Sequence, residues 1–210
     1  MRKTTITLSL TIILLLCSAT LSGPTLDQSQ ENADAGSYYD EFQWLGQTFT
    51  AGLSGKLDRL EVGMTAASNP IYATTVDIRT TTASGMPSET ILGSVDVPLG
   101  SLVAGWNSID FSTQNISITA GTVYAMVFRK KDGGGTTPTN WLNYQFGDDP
   151  YPDGEYCWWS TSNPVWYDPS IVESDVQFRT YVNVIPAPGA ILLGSIGIGL
   201  IGLLRRSNKL

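Results

Sequence analysis

The chain has 210 residues, with 12 lysines and arginines against 19 aspartates and glutamates, and it contains no histidine. A chain without imidazole excludes Ser-His-Asp and Cys-His catalysis and every metal site that needs histidine. Five basic residues and no acidic one lie in the two terminal segments, so the seven other basic residues leave the central body a net charge of −12. We expect no nucleic-acid partner, because a body of this charge repels polyphosphates.

Residues 1–22 have the pattern of a secretory signal peptide. Two basic residues follow the initiator methionine, residues 6–16 are mostly apolar, and small residues place cleavage near Ala19 or Ser22. A lipid-carrying cysteine would follow a small residue, whereas Cys17 follows a leucine, which disfavours lipidation. The N-terminus therefore predicts an exported protein.

Cleavage would leave the mature chain without an internal disulfide. Removal of Cys17 leaves Cys157 as the single cysteine, so the folded part must rely on its hydrophobic core. Residues 23–37 come directly after the cleavage site, and they are polar and without period. We predict that they form a flexible leader.

Residues 38–184 show the pattern of one all-β domain. Short alternating segments recur about every 8–12 residues with turn residues between them, and no amphipathic helix pattern interrupts them. Residues 122–130 are apolar on both faces and predict a central buried strand, whereas Pro98 is predicted to end an earlier one. Residues 147–174 are rich in Gly, Asp and Pro and predict a long excursion. The predicted fold is a single antiparallel β-sandwich, jelly-roll-like, with an N-terminal signal peptide and a C-terminal transmembrane helix.

Short motifs along this body match a known family. They are Gln47-Thr48-Phe49-Thr50 with Gly52, Leu57 to Val62, Pro87-Ser88, Ile91-Leu92-Gly93, Trp106 with Ile109 and Phe111, Ile116 to Tyr124, and Asp175 to Tyr181. In this order they resemble the choice-of-anchor domains of exported bacterial proteins. The resemblance implies a β-sandwich in an extracellular setting, and it implies no defined activity and no functional residues.

An aromatic-rich segment near the end of the body predicts a platform for sugar rings. The candidate residues are Trp158, Trp159, Trp166, Tyr151 and Tyr167, whose rings offer apolar faces with polar edges. Because neighbours on a strand point to opposite faces, we expect Trp158 and Trp159 to divide between the core and the surface. The alternative is that these rings simply face the sandwich core.

Carboxylates in the same segment could form a calcium site. Asp148, Asp149, Asp153 and Glu155 are oxygen ligands of the kind that calcium prefers, although their spacing is not that of an EF-hand. We expect no cofactor, and calcium is the alternative that these residues leave open. A carboxylate pair could also act as acid and base in a glycosidase, which requires a separation of about 5–9.5 Å across a cleft. We predict that the protein is not an enzyme, and the glycosidase remains an alternative.

Residues 185–210 consist of a motif, an apolar run and a basic tail. The motif is Ile185, Pro186, Ala187, Pro188 and Gly189, and the tail contains Arg205, Arg206 and Lys209. Residues 190–204 would span about 22 Å as a helix, which is short for a hydrocarbon core of about 30 Å. The basic tail predicts a transmembrane helix with its end in the cytoplasm and the body outside.

This order of parts resembles the PEP-CTERM sorting signal, although Ala187 stands where the family name has glutamate. The resemblance implies that an exosortase-type membrane enzyme recognises and cuts the segment. It predicts a protein that is membrane-associated before processing and then lies at the cell surface or in the extracellular matrix. An ordinary membrane anchor is the alternative for this segment. For the whole chain, the alternatives are a carbohydrate-binding module for an extracellular polysaccharide, which calcium would assist, and a carboxylate-pair glycosidase.

Overall fold

A computed structural model describes the part of the chain that carries the predicted β-sandwich. The described residues are 23–65, 73–131, 140–147, 149–167 and 174–184. The predicted signal peptide and the predicted sorting signal with its transmembrane helix lie outside them. Within these ranges, no helix combines the length and the apolar character needed to cross a bilayer. Residues Pro24–Val184 form one compact unit.

The described residues form fourteen strands and one short 3₁₀ helix, Ser112–Gln114. The strands are β1 (Thr25–Gln30), β2 (Ala35–Tyr39), β3 (Gln43–Thr50), β4 (Gly55–Met64), β5 (Thr74–Thr81), β6 (Pro87–Val97), β7 (Gly105–Asp110), β8 (Ser117–Ile118), β9 (Val123–Lys130), β10 (Asn140–Phe146), β11 (Tyr156–Ser160), β12 (Val165–Tyr167), β13 (Ser174–Val176) and β14 (Phe178–Val184). The predicted all-β class is confirmed.

Two antiparallel sheets contain these strands. Sheet A has the order β1-β14-β4-β10-β13, with β7 and β8 also paired to β4 and with β2 paired to β10. Sheet B has the order β12-β11-β3-β9-β5-β6. The predicted central strand is confirmed, because β9 lies between β3 and β5. As predicted, β6 ends directly before Pro98.

The hydrophobic core combines alternate residues of both sheets. Its largest fully buried apolar side chains are Tyr39, Phe49, Phe111, Phe128, Phe178, Leu45, Leu57, Leu60, Ile78, Met126 and Leu142. Leu57 and Leu60 are both buried although simple alternation would place them on opposite faces. A register shift opposite them, between Tyr181 and Val182 of β14, accounts for this change of face. Burying each such side chain contributes about 1.5–3 kcal/mol.

The prediction of a flexible leader over residues 23–37 is wrong. These residues contribute β1, which pairs with β14, and most of β2, which pairs with β10. Asp27 accepts hydrogen bonds at Oδ1 from the backbone N–H groups of Gly52 (3.0 Å) and Leu53 (2.6 Å). The polar side chains that suggested mobility are thus hydrogen-bonded to distant parts of the chain. The domain begins at Pro24 rather than at the predicted residue 38.

The predicted excursion over residues 147–174 is also wrong in part. It contains β11 and β12, which form a hairpin at one edge of sheet B, with β11 paired to β3. The single final strand predicted from the sequence is divided at Gln177. The part before it, β13, pairs with β10, whereas the part after it, β14, pairs with β4 and β1. The aromatic residues of β11 favour a strand, but the Gly and Pro residues around it indicated a loop.

A buried polar network links the two sheets through the core. Gln47 of β3 donates from Nε2 to Asp175 Oδ1 (2.6 Å) and accepts at Oε1 from the Val176 N–H (2.8 Å). Asp175 Oδ2 accepts from the Tyr151 N–H (3.0 Å). The Gln47 and Asp175 residues are 0% and 1% exposed. Burial raises the pKa of Asp175 to about 6, although its hydrogen bonds from Gln47 and Tyr151 act in the other direction.

Replacing Gln47 by leucine should destabilise the protein by about 3 kcal/mol, because it leaves the Asp175 carboxylate and the Val176 N–H with fewer partners in the core. Urea unfolding followed by circular dichroism measures the change. Gln43→Leu is the matched control on the same strand, since the half-buried Gln43 amide donates to one carbonyl, Tyr38 O. That control should cost less than about 1 kcal/mol. Equal losses in both variants would contradict a special role for Gln47.

The raised pKa of Asp175 makes stability depend on pH between about 4 and 7. The folded state holds this proton more tightly than the unfolded state, so the contribution is complete below the unfolded pKa and is lost as the pH rises through 6. We expect the free energy of unfolding to fall by about 2 kcal/mol from pH 4.5 to pH 7. Asp175→Asn, which cannot titrate, should lose this part of the slope. An unchanged slope in that variant would refute the assignment.

Candidate functional site

The predicted aromatic platform is divided between the two faces of sheet B. Trp158 stacks on Tyr167 with ring centroids 4.2 Å apart and planes within 13° of each other, and Trp158 also packs against the core. Trp159 pairs instead with Trp166, whose ring centroid lies 5.7 Å away. The neighbouring tryptophans therefore face opposite sides of β11, as strand geometry requires.

Tyr151 lies apart from the other four rings. It is 6% exposed and meets Phe178 edge-on, with centroids 5.1 Å apart. Its hydroxyl donates to Gln28 Oε1 (2.8 Å), and burial raises its pKa. Tyr151 is thus a core residue that secures β1. The five residues form no single flat surface, because the sheet separates two pairs and the core takes the fifth.

The outer face of sheet B carries a row of rings and charged groups, which we call the outer ladder. It consists of Trp166, Trp159, Trp44, Arg129, Arg79 and Asp77. Trp44 and Trp159 stack with centroids 5.6 Å apart and an interplanar angle of 18°. From the other side, the guanidinium carbons of Arg79 and Arg129 lie 5.6 and 6.0 Å from the Trp44 ring centroid. Trp44 therefore has neighbours on both sides, because Trp159 and Arg129 belong to the two strands that flank β3.

Asp77 is the charged end of the outer ladder. It is fully buried and accepts from Arg79 Nη2 (2.6 Å) and Arg129 Nε (3.0 Å). Ser94 Oγ donates to its other carboxylate oxygen. Burial acts to raise the pKa of Asp77, but the hydrogen bonds from the two arginines and the serine outweigh it and hold that pKa below its ordinary value. The carboxylate thus orients both guanidinium groups beside Trp44.

A cleft of about 350 Å³ opens at Trp44, and we call it the Trp44 cleft. Its lining residues are Asp40, Glu41, Trp44, Arg129, Lys130, Lys131 and Thr161. They come from the start of β3, the end of β9 and the turn after β11. This volume lies at the lower end of the range of about 300–1,000 Å³ that is typical of ligand sites.

The positive charge of the body is concentrated around this cleft. Of its seven basic residues, four belong to the outer ladder or the cleft, namely Arg79, Arg129, Lys130 and Lys131. Lys130 Nζ lies 3.1 Å from Glu41 Oε2, and Lys131 pairs with Asp96. Glu41, Asp96, Asp77 and Asp40 carry four negative charges, which balance the four positive ones. The region is therefore neutral on a body that carries −12.

The two carboxylates of the cleft both have structural partners. Asp40 Oδ1 accepts from the backbone N–H groups of Phe42 (2.7 Å) and Gln43 (2.8 Å), which closes the turn before β3. Glu41 is held by Lys130. Neither arrangement is that of an acid and base facing each other across a sugar. The glycosidase alternative gains no support from this pair.

The predicted calcium ligands hold the neighbouring strand through their backbone. Asp153 and Glu155 are exposed, and their carbonyl oxygens accept from the N–H groups of Thr50 (2.9 Å) and Thr48 (2.8 Å). Asp149 adopts a positive φ of 43°, which aspartate tolerates in turns. Asp148 lies outside the described residues. Among those that are described, no three His, Cys, Asp or Glu residues are grouped to hold a metal ion, and calcium stays a prediction.

Sequence reasoning missed Trp44 and the charged groups beside it. The available signal was Asp77 and Arg79, two charges that alternate with the apolar Val76 and Ile78 and must therefore share one face of the strand. The outer face of β3 also requires a glycine at position 46. A Cβ there would lie 2.7 Å from Cys157 Sγ and 3.1 Å from the Trp166 ring. Glycine thus admits the close packing of β11 and β12 against β3.

Asp77→Asn should destabilise the protein by about 2–4 kcal/mol, because it leaves two guanidinium groups around Trp44 without a counter-charge. Thermal and urea unfolding at pH 7 measure the loss. Asp96→Asn is the matched control, since its carboxylate pairs with Lys131 on the same face but is 51% exposed. This exposed pair should contribute less than about 0.5 kcal/mol. Losses of similar size would show that burial does not distinguish the two ion pairs.

No protein-family model matches the chain, and no curated protein matches it. The resemblances to the choice-of-anchor domains and to the PEP-CTERM signal therefore depend on the motifs quoted above, and they stay predictions.

Proposed function

We propose that this chain is an exported, non-enzymatic protein of a bacterial cell surface or extracellular matrix. Residues 1–22 direct its export. The motif Ile185 to Gly189, the apolar run and the basic tail direct its sorting, with an exosortase-type enzyme as partner and the membrane as a contact before processing. The sequence patterns of the two terminal segments support this proposal.

The observation that carries the proposal is where the sandwich ends. β14 is paired along its length with β4, and its last residue, Val184, lies opposite Gly55. β14 also pairs with β1, where Val182 lies opposite Thr25. The final strand is thus complete one residue before the sorting motif. Removal of the segment after Val184 would leave all fourteen described strands intact, as a processed signal requires.

The strand order supports a jelly roll, which we propose as the finer description of the fold. Eight strands form the pattern, with β1-β14-β4-β7 in one sheet and β3-β9-β5-β6 in the other. The chain changes sheets between β3 and β4, β4 and β5, and β6 and β7. Such an arrangement is typical of paired Greek keys. The strands β2 and β10 to β13 extend the two sheets.

A second candidate is a carbohydrate-binding module for an extracellular polysaccharide, with or without calcium. The Trp44 cleft favours it, because the cleft combines an indole ring with several fixed hydrogen-bonding groups. Binding of an oligosaccharide panel by the folded protein, with and without a chelator, tests this candidate.

Intact-mass and C-terminal peptide analysis of the protein from its native host tests the leading proposal. We expect a mature form that begins after Ala19 or Ser22 and lacks the apolar run and the basic tail. Deletion of the exosortase gene should restore the full C-terminus and change nothing at the N-terminus. Mature protein that retains residues 190–210 would refute processing and indicate an ordinary membrane anchor.

A further inference from the structure

The Trp44 cleft and Val184, the last residue of β14, lie at opposite ends of the sandwich. Trp44 is near the start of β3, and its partner strand β9 ends at Lys130. At the other end of the same pair, Thr50 lies opposite Val123, and the Ala51 N–H donates to Thr122 O (3.0 Å). That end also holds the Gly55 and Val184 pair of sheet A, since the Ala120 N–H donates to Ser54 Oγ. An eight-residue strand separates the two ends by about 25 Å.

The charges of the cleft select against an ionic ligand. Each cation has a carboxylate partner, since Lys130 pairs with Glu41, Lys131 with Asp96, and the two arginines share Asp77. The region offers no net positive charge, and the surrounding body is acidic. A polyanion would be repelled by the body without compensation at the cleft. A neutral ligand has no such penalty.

The residues of these ion pairs supply both hydrogen-bond donors and hydrogen-bond acceptors in fixed positions. Lys131 is 46% exposed and donates, and Glu41 is 31% exposed and accepts. The Thr161 hydroxyl donates to Phe42 O (3.3 Å), so its oxygen can accept from a ligand. Sugar hydroxyls are donors and acceptors at once, so they can use all three groups. The indole ring of Trp44 adds apolar surface to the lining of the cleft.

We propose that the Trp44 cleft binds neutral, hydroxyl-rich sugar units of an extracellular polysaccharide. The proposal rests on the second candidate function and names its site and ligand class. The residues differ from those that the sequence suggested, because Trp158 and Tyr167 face inward and Tyr151 is in the core. Because the cleft is distant from Val184, a protein held through its C-terminus would present it away from the attachment point.

The test uses the full chain in detergent and two sets of immobilised oligosaccharides. The neutral set contains β-glucan, mannan, galactan and chitin oligomers, and the acidic set contains oligogalacturonate and oligoalginate. We expect binding to at least one neutral member and none to the acidic members. A chelator should not change the result, since no described group in the cleft is arranged to hold a metal ion.

Variants of the cleft then locate the site. Lys131→Met removes an exposed donor and Thr161→Val removes the hydroxyl, and each should weaken binding of the neutral oligosaccharide about tenfold. Lys56→Met is the matched control at the opposite end, where Lys56 Nζ donates to Asn115 O (2.9 Å) and Ser117 Oγ (2.7 Å). It should bind as the unaltered protein does. Circular dichroism and urea unfolding establish that every variant is folded.

The possible outcomes separate the proposal from the functions on which it rests. Neutral binding that the cleft variants leave unchanged would overturn the site and preserve the carbohydrate-binding candidate. Preference for the acidic set would overturn the ligand class. No binding by folded protein to either set would overturn both the candidate and this proposal, whereas export and sorting would still be decided by the mass measurement.

Discussion

The Gln47 carboxamide is the polar contact that ties β3 of sheet B to β13 of sheet A inside the hydrophobic core. Inside an apolar core, it serves both the Asp175 carboxylate and the Val176 N–H, and groups of that kind are costly to bury without partners. The Gln47 side chain contacts β13, and the same network also includes the segment before β11. The Tyr151 N–H closes the same network, and Tyr156 at the start of β11 lies opposite Gln47 in the sheet. The ladder pairing of β11 with β3 places the hairpin that carries the tryptophans beside this network.

The outer face of β3 carries a tryptophan and a glycine beside charged groups, whereas its inner face lies in the core. Trp44 and Gly46 alternate with the inward-facing Leu45 and Gln47, so one strand supports both the core network and the outer ladder. Asp77 sets the charged end of that ladder by holding two guanidinium groups against the tryptophan. A large acidic surplus elsewhere on the body leaves this neutral region as its electrostatic exception. The cleft adjoins the ladder, because Trp44 and Arg129 belong to both.

The architecture is consistent with a protein that is delivered and displayed. The first and last strands are neighbours in sheet A, so both terminal segments leave from one end of the body. Loops and strand ends at the opposite end form the Trp44 cleft. Binding residues are common on the connecting segments of a rigid β-scaffold.

The sequence sufficed where a local pattern marks the strand. An apolar run marks the central strand β9, whereas alternation and turn residues indicate the end of β6 at Pro98 and the all-β class. These patterns act over a few residues. It did not suffice for β1, β2, β11 and β12, whose polar or aromatic side chains are satisfied by remote partners. Gln47 and Asp175 are 128 residues apart, and Gln28 and Tyr151 are 123 apart. Composition likewise identified an aromatic-rich segment, but the face and the neighbour of each ring depend on pairing with β3. A local pattern can specify a strand, whereas only the folded chain can specify what lies beside it.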